Sequence, residues 1–518
     1  ERLVGIWASA PEGQARALWE VMGEAAKQLE HAQLSPRATV EIFLASTPRE
    51  LQPRKLKRDR NHLKGNIHRG LRALEVTSRG ETLRIDPFTV VTRNQGHASL
   101  FAELHTQLGQ DEKQFFAKGG SLRFYGGEQY VVYVDKAPRA RALYRASRVV
   151  EIDEIDRAGT ELLGKRLGDY LISHVADSGA LTYLIDPAKG EDILNTNNMI
   201  RQWMATIAMS RVARFRNDPS IDRVVERNIR HNLTHFYRDR GPHAVIDFRG
   251  VVKLGAISLA ALALIEAKTR HMFTKPLARL CHTIDHMWDL GGQNGAFKTM
   301  LAPNHDTRGS NFYPGETLLM WAYLLKDDPQ DPERLRRFML SYKYYRTWHL
   351  EHRNPAFIPW HTQAYFMLWE QNQSEELRDW IFEMNDWLLS MQQQPPVNFP
   401  DIAGRFYDPK RPKFGNPHAS STGVYLEGLI DAFELARRCG DKTRQENYRR
   451  AIVWGLRSVM QLTFLDRESA FYALAPERCV GGTRTSVYRN EIRCDNVQHS
   501  LMGILKVLTR FEETDYRP

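Results

Sequence analysis

A short motif recurs six times in the last two thirds of the chain and constrains the fold more than any other feature. Each copy sets one aromatic residue among small or polar residues. The aromatic positions are Tyr183, Phe248, Phe297, Phe357, Phe406 and Phe471. The intervals between them are 65, 49, 60, 49 and 65 residues, each of which holds one helical hairpin and its loops. A single hairpin cannot bury both of its faces, so six of them must stack around a shared core.

Amphipathic helical patterns fill these intervals, and strand-like alternation nearly vanishes after about residue 169. The helical segments include 198–214, 254–269, 317–326, 335–349, 375–392, 422–438 and 444–465. Six hairpins that close into a ring form an (α/α)6 toroid, whose inner helices line a funnel. The sequence therefore predicts a toroid over residues 161–518. The alternative is an irregular helical domain in which the aromatic residues only close turns.

The first 160 residues change period repeatedly. Helix-like stretches at 13–31 and 97–108 alternate with strand-like stretches. The strand-like segments are 38–44, 71–76, 83–85, 130–134 and 148–153. The predicted fold class is therefore mostly α, with a small α/β (α+β) domain over residues 1–160 before the C-terminal (α/α)6 toroid. The role of the first domain is open.

Composition supports a folded chain without a membrane span. Of the 518 residues, 42% are hydrophobic and 26% are charged, which is ordinary for globular proteins. The longest apolar run, Leu254 to Ile265, is well short of the ~20 residues that cross a bilayer. The sequence begins at Glu1 rather than Met, so we expect a processed chain whose targeting segment lies upstream. A periplasmic or secreted location is the corresponding expectation.

The charge balance favours an acidic partner. The net charge is +10 and the sequence pI is about 9.3. The densest basic stretch runs from Arg54 to Arg69 and either grips a polymer or is a solvated loop. No zinc finger, basic recognition helix or aromatic RNA-binding strand is present, so a nucleic-acid partner is not expected.

The cysteines do not predict a metal site or a disulfide framework. Four cysteines are too few and too scattered, although Cys479 and Cys494 flank one loop and are able to pair in an oxidising compartment. Cys281 and His282 are adjacent within an apolar helix, where a cysteine is usually a core residue. No glycine-rich phosphate loop with the Gly-x4-Gly-Lys spacing occurs. We expect neither a metal nor a cofactor.

A first polar cluster lies ahead of a helix that begins near Pro314. Proline suits the first helical turn, which places Glu316 beside the positive helix end. An acid there stabilises a helix, but the number of polar groups exceeds what capping requires. The candidate residues are Asn304, His305, Asp306, Arg308, Asn311, Tyr313 and Glu316.

A second cluster runs from Arg484 through Arg493 to His499. Asp495 and His499 are four residues apart and share one helix face, a spacing that suits a carboxylate orienting an imidazole or two groups gripping one sugar. A surface pair on a helix is the alternative.

Two smaller clusters complete the set. In the third, His418 precedes Ser420 and Ser421, one of which is expected to cap a helix, and Glu427 follows. In the fourth, Asn197 and Arg201 share a helix face that suits a carboxylate. Trp360 and His361 stand at another helix entry, where an aromatic ring is suited to stack against a sugar.

Three segments carry a resemblance to a known group of enzymes. Residues 311–319, 359–361 and 416–428 are similar to the loop-to-helix entries of (α/α)6-toroid carbohydrate-active enzymes. That group includes uronyl C5-epimerases, N-acylglucosamine epimerases and unsaturated glucuronyl hydrolases. The resemblance covers residues 170–510 at the level of architecture. It implies a carbohydrate substrate, whereas no single family's catalytic set carries over.

The inventory supports several chemistries, of which we expect glycoside hydrolysis first and lyase or epimerase chemistry second. Hydrolysis of an acidic polysaccharide needs two carboxyl groups, for which Glu316 and Asp495 are the first pair. A uronate lyase or C5-epimerase instead needs a Tyr or His base and Arg or Asn partners for the carboxylate. That second set consists of Tyr313, His305, His361, His418, Arg308 and Asn311, and His499 is a further catalytic candidate beside Asp495. A third hypothesis is that the protein is a non-catalytic component that binds glycans or assists assembly in an envelope exopolysaccharide pathway, with envelope-associated partners.

Overall fold

The fold is taken from a computed structural model. It describes residues 39–50, 68–109, 111–133, 139–302, 308–408, 410–414 and 416–517, together with positions 20, 22, 23 and 27. The chain forms two compact units, Glu1–Val149 and Val150–Pro518. The predicted helix at 13–31 and most of the basic stretch from Arg54 to Arg69 lie outside the described residues.

The first unit combines two antiparallel sheets with short helices. Its strands are β1 Thr39–Ala45, β2 Arg49–Glu50, β3 Ala73–Ser78, β4 Glu81–Ile85, β5 Ser121–Tyr125, β6 Gly127–Tyr133 and β7 Arg139–Leu143. Its helices are α1 Pro87–Thr92, α2 His97–Gln107 and α3 Glu112–Ala117. The strand orders are β2-β5-β3-β4 and β1-β6-β7. Apolar side chains of the first sheet and of α2 and α3, such as Val76, Leu100 and Phe115, form one core. The α+β prediction is confirmed.

The predicted strand at 148–153 is wrong. Ile152–Glu154 form a 3-10 turn, closed by a capping box between Glu151 and Glu154. The N–H of Val150 donates to the side chain of Gln461 instead of to a neighbouring strand. The apolar run here meets helices and therefore has no strand to pair with.

The second unit is built from alternating outer and inner helices. The outer helices are α4 Arg157–Ser173, α6 Pro219–Phe236, α8 Thr274–Asp289, α10 Pro332–Glu351, α12 Glu375–Leu389 and α14 Lys442–Leu462. The inner helices are α5 Met199–Arg216, α7 Leu254–Glu266, α9 Tyr313–Asp327, α11 Ile358–Asn372, α13 Ala419–Arg438 and α16 Cys494–Arg510. A four-residue helix, α15 Pro476–Cys479, lies between α14 and α16.

The six inner helices close into a ring. Each packs against the next, in the order α5, α7, α9, α11, α13 and α16, and α16 packs back against α5. Every residue of α7 is buried, which explains why the longest apolar run of the chain is an inner helix. Among the described residues no helix is both long enough and apolar enough to cross a membrane. The predicted (α/α)6 toroid is confirmed.

Long connections lie at one end of this ring, which we call the loop face. They precede the inner helices and span 174–198, 237–253, 290–312, 352–357, 390–418 and 463–493. The six aromatic motif positions all fall within them. Short strands order several of these connections: β8 Leu184–Asp186, β9 Glu191–Asp192, β10 Tyr237–Arg240, β11 His243–Phe248, β12 Val251–Lys253, β13 Met300–Ala302, β14 Arg484–Ser486 and β15 Arg489–Arg493. The N-termini of all six inner helices therefore point towards the loop face.

Candidate functional site

The second and fourth polar clusters meet at the loop face. Asp495, in the first turn of α16, accepts from two arginines. Its Oδ1 lies 2.5 Å from Nε of Arg493, and its Oδ2 lies 2.9 Å from Nε of Arg201. Burial by itself raises the pKa of the Asp495 carboxyl, but the two positive charges outweigh burial and hold it at about 2. Arg201 was predicted to hold a carboxylate, and in the structure it holds that of Asp495.

Arg201 is fixed on a second side by an aromatic residue. It projects from the first turn of α5, and its guanidinium carbon lies 5.8 Å from the ring centre of Tyr183. The guanidinium also donates to the hydroxyl of Tyr183, which precedes β8. Arg201 and Arg493 remain partly exposed, with 30% and 22% of their side-chain surfaces accessible. The site therefore presents two oriented guanidinium groups towards solvent.

His499 lies one helical turn beyond Asp495 but is oriented by a different carboxylate. Its Nδ1 is 2.8 Å from Oε1 of Glu427 on α13, and the Glu427 side chain is fully buried. Since Nδ1 donates to this carboxylate, Nε2 is the unprotonated ring nitrogen of neutral His499. No hydrogen bond to Nε2 occurs within the part of the chain that the structure describes. The ring of Trp360 meets the His499 ring edge to face, with centres 5.9 Å apart.

His418 joins the same site from the start of α13. It is the N-cap of that helix, where its Nδ1 accepts from the backbone N–H of Ser421 at 3.2 Å. The expectation that Ser420 or Ser421 caps the helix is therefore wrong. Burial lowers the pKa of His418 to about 4, and the charges of Asp495 and Arg493 also act on it. The imidazole is neutral at neutral pH and holds its proton on Nε2.

Glu316 lies in the first turn of α9, as predicted. Its carboxyl is buried, and its Oε2 has no hydrogen-bond partner among the described residues. Burial raises the pKa of Glu316 to about 8, so the group is protonated at neutral pH. A Cβ on Gly255 of α7 would lie 2.1 Å from Oε2 and 2.6 Å from the ring of Tyr313, so glycine makes room for both.

The other predicted residues of the first cluster precede α9. Asn304, His305 and Asp306 lie outside the described residues. Arg308 begins the 3-10 turn Arg308–Asn311, and only its backbone is described. Asn311 is half-buried.

Three candidates serve local structure. The His361 ring is fully buried, stacks on Phe357 with centres 3.4 Å apart and donates to its carbonyl oxygen, and burial lowers its pKa to about 3. Buried Arg484 donates to the carbonyl oxygen of Gln461 at 2.7 Å, near the end of α14. Asn197 accepts from Gln202 at 2.9 Å and so orders the start of α5. None of these contacts by itself presents a donor to a ligand.

A partly buried lysine behind His499 was not predicted from the sequence. The Nζ of Lys506 on α16 donates to Asp431 at 2.7 Å, to Gln363 at 2.8 Å and to the backbone oxygen of Glu427 at 3.0 Å. Burial lowers the pKa of Lys506 to about 8. These bonds join α11, α13 and α16 behind the His499–Glu427 pair. A lysine within the apolar repeat of 501–508 is the sequence signal that would have found it.

Comparisons with known proteins agree with this architecture. No protein-family model matches the chain, and no curated protein matches it significantly in sequence. The crystal structure of a D-mannose isomerase is 10% identical, covers 68% of this chain and 98% of its own, and superimposes with a TM-score of 0.52. At this identity the likeness concerns the fold alone.

Two further solved structures are a cellobiose 2-epimerase from Bacillus thermoamylovorans B4167 and an unsaturated glucuronyl hydrolase specific for heparin. They are 11% and 10% identical, with TM-scores of 0.49 and 0.47. The first covers 70% of this chain and 99% of its own, and the second covers 67% and 96%. The resemblance to (α/α)6-toroid enzymes drawn from the sequence is confirmed at the level of architecture.

Proposed function

We propose that this protein is a carbohydrate-active enzyme that moves a proton at a sugar carbon next to a carboxylate, as a uronate C5-epimerase or lyase does. The observation that carries the proposal is the hydrogen bond between His499 and buried Glu427. A carboxylate on Nδ1 fixes the tautomer that leaves Nε2 as a base, and it stabilises the imidazolium that forms when Nε2 takes a proton.

The neighbouring donors suit the charge that this reaction develops. When the C–H bond breaks, its electron pair moves towards the substrate carboxylate, which becomes more negative. Arg201 and Arg493 supply oriented donors for that charge, and Asp495 holds both guanidinium groups in place. The neutral His418 lies beside them, and its Nε2–H donates to the hydroxyl oxygen of Ser421 at 3.0 Å. Buried Trp360 packs edge to face against the His499 ring and so fixes its orientation.

The fate of the proton decides between the two activities. Return of a proton to the opposite face of the same carbon gives the epimer. Departure of the oxygen substituent on the next carbon gives an unsaturated uronate and a new chain end. The excess of basic residues in the chain favours an acidic polysaccharide in both cases.

Glycoside hydrolysis is the second candidate, and protonated Glu316 favours it. A buried carboxyl with a pKa of about 8 has the protonation state that a general acid needs. The partner carboxylate must then activate water or attack the sugar. Asp495 is ionised, but each of its two oxygens is bound to an arginine, which makes it a positioning group for the guanidinium pair. We therefore place hydrolysis second.

The test is incubation of the purified protein in deuterated water with acidic and neutral polysaccharides. Deuterium in the product without cleavage identifies an epimerase, and ultraviolet absorbance of an unsaturated uronate identifies a lyase. New reducing ends without that absorbance identify a hydrolase and contradict the proposal. Glycan binding without any turnover supports instead the hypothesis of a non-catalytic binding or assembly component.

The matched variants are His499→Asn and His235→Asn. Asparagine at position 499 keeps a donor for Glu427 and removes the base, so we expect at least a ~100-fold loss of turnover. His235 is an exposed histidine on outer helix α6, and its replacement is expected to leave turnover unchanged.

A further inference from the structure

A pocket of about 500 Å³ opens outside the ring of inner helices. It lies between the end of α10, the connection 352–357, the end of α12 and the connection 390–418. Outer helices end at the loop face, so this pocket shares that face with the His499 site. Its lining includes Glu351, Arg353, Trp387, Arg411, Lys413 and Phe414.

Aromatic rings and cations are interleaved in this pocket. The rings of Trp387 and Phe414 meet edge to face, with centres 6.0 Å apart. The guanidinium carbon of Arg411 lies 5.8 Å from each of these ring centres, and that of Arg353 lies 5.4 Å from the Trp387 ring. Nζ of Lys413 lies 5.5 Å from the Phe414 ring. The cations are therefore held against aromatic faces at the pocket wall.

The protein's own carboxylates occupy part of this donor set. Arg353 binds Glu383 at 2.7 Å, and Arg411 binds Asp408 at 2.5 Å through Nε. A guanidinium has five N–H donors, so each arginine keeps others for a ligand. Nη1 of Arg353 is buried and has no acceptor within the described ranges. Lys413 is exposed and forms no ion pair with a described residue.

We propose that this pocket binds an acidic sugar residue of a polysaccharide whose other residues reach the His499 site. Aromatic rings pack against the apolar face of a sugar, and arginine and lysine bind its carboxylate. Arg353 and Trp360 are seven residues apart, so at most about 25 Å separates them along the chain. A short oligosaccharide spans that distance. The proposal rests on the proposed function for the nature of the polymer and adds a binding site that acts without turnover.

The experiment is calorimetric titration of the protein with hexagalacturonate and, as the neutral probe of equal length, maltohexaose. We expect Trp387→Ala to weaken hexagalacturonate binding about tenfold and Lys413→Ala about threefold. Lys442→Ala is the matched control, because Lys442 begins an outer helix at the opposite end of the toroid. Maltohexaose is expected to bind at least about tenfold more weakly than hexagalacturonate.

The outcomes separate this site from the proposed activity. Three results would each overturn the proposal. The Trp387 and Lys413 variants bind hexagalacturonate as tightly as the unaltered protein does, maltohexaose binds as tightly as hexagalacturonate, or hexagalacturonate does not bind at all. Lys413 is exposed, so its variant remains informative if loss of Trp387 unfolds the chain. If the pocket variants weaken binding but the protein turns over no glycan, the proposed activity is refuted and the binding site is supported.

Discussion

The pairing of charged residues differs from what the sequence spacing indicates. The four-residue interval between Asp495 and His499 suggests that they pair, yet Asp495 binds Arg201 and Arg493, whereas His499 binds Glu427, 72 residues earlier. Helical spacing identifies residues that share a face, but the facing helix decides which partner each one meets. The sequence could therefore nominate both residues without assigning the bond.

Glu316 makes the stability of the protein depend on pH. Its pKa is about 8 in the folded protein, against 4.5 for an ordinary glutamate. Between pH 4.5 and about pH 8, Glu316 keeps its proton in the folded state and has released it in the unfolded state. The contribution of Glu316 to stability is therefore complete below pH 4.5 and is lost as the pH rises through about 8.

We predict that Glu316→Gln flattens this dependence. The amide cannot ionise. Between about pH 5 and pH 8 the unfolding free energy of the variant should therefore fall by about 2–4 kcal/mol less than that of the unaltered protein. Urea unfolding across that range measures the difference. Parallel curves for the two proteins would show that Glu316 ionises normally.

At the scale of elements, four long connections use a glycine to approach the next outer helix. Gly179, Gly295, Gly404 and Gly481 have φ values of 85°, 104°, 86° and 85°. A Cβ at these positions would lie within 2.3 Å of backbone oxygens of α6, α10, α14 and α4 respectively. Each of these four connections is thereby seated on the outer helix of the next hairpin.

Gly404→Ala tests this contact against a matched glycine. Its Cβ would lie 1.8 Å from the carbonyl oxygen of Trp454, whereas Gly440 has a φ of 72° and no atom within 4 Å of the position that a Cβ would take. We expect Gly440→Ala to cost about 1 kcal/mol of unfolding free energy and Gly404→Ala at least about 3 kcal/mol. Chemical denaturation measures both. Equal costs would show that the connection moves away freely.

The aromatic spacing predicted these connections, but it did not predict how they pair. Four of the six connections contain strands, which form the sheets β10-β11-β12-β13 and β14-β15-β8-β9 within the loop face. These strands have only two to six residues, too few for an alternating pattern to reveal them, and two of the pairings, β12 with β13 and β15 with β8, join distant segments. The helices were predictable because each carries several turns of apolar repeat.

The whole molecule depends on closing the ring between its first and last hairpins. β15 pairs with β8 at the loop face, and α16 packs against α4 and α5. On the first helix, Arg157 donates to the backbone oxygen of Phe511 at 2.7 Å and binds Glu513 at 2.9 Å. Opposite the loop face, Glu266 at the end of α7 receives Arg211 of α5 at 2.8 Å. Polar contacts thus join neighbouring hairpins both at the loop face and at the opposite end of the ring.

We predict that Arg157→Ala costs about 1–2 kcal/mol of unfolding free energy, because it removes contacts that join the two ends of the ring. Lys165 is the control: it is exposed and forms an ion pair with Asp169 four residues later on the surface of α4. Lys165→Ala should cost less than about 0.5 kcal/mol. A similar effect for both would mean that the Arg157 contacts do not support closure.

The most direct test of the central claim compares His499→Asn with Glu316→Gln on one substrate identified in the glycan panel. Deuterium incorporation from solvent, unsaturated product and reducing ends are followed together. If His499 is the base, its variant loses at least ~100-fold in turnover while the Glu316 variant keeps most of it. Loss of cleavage in the Glu316 variant, with turnover retained in the His499 variant, would contradict the account and identify a hydrolase.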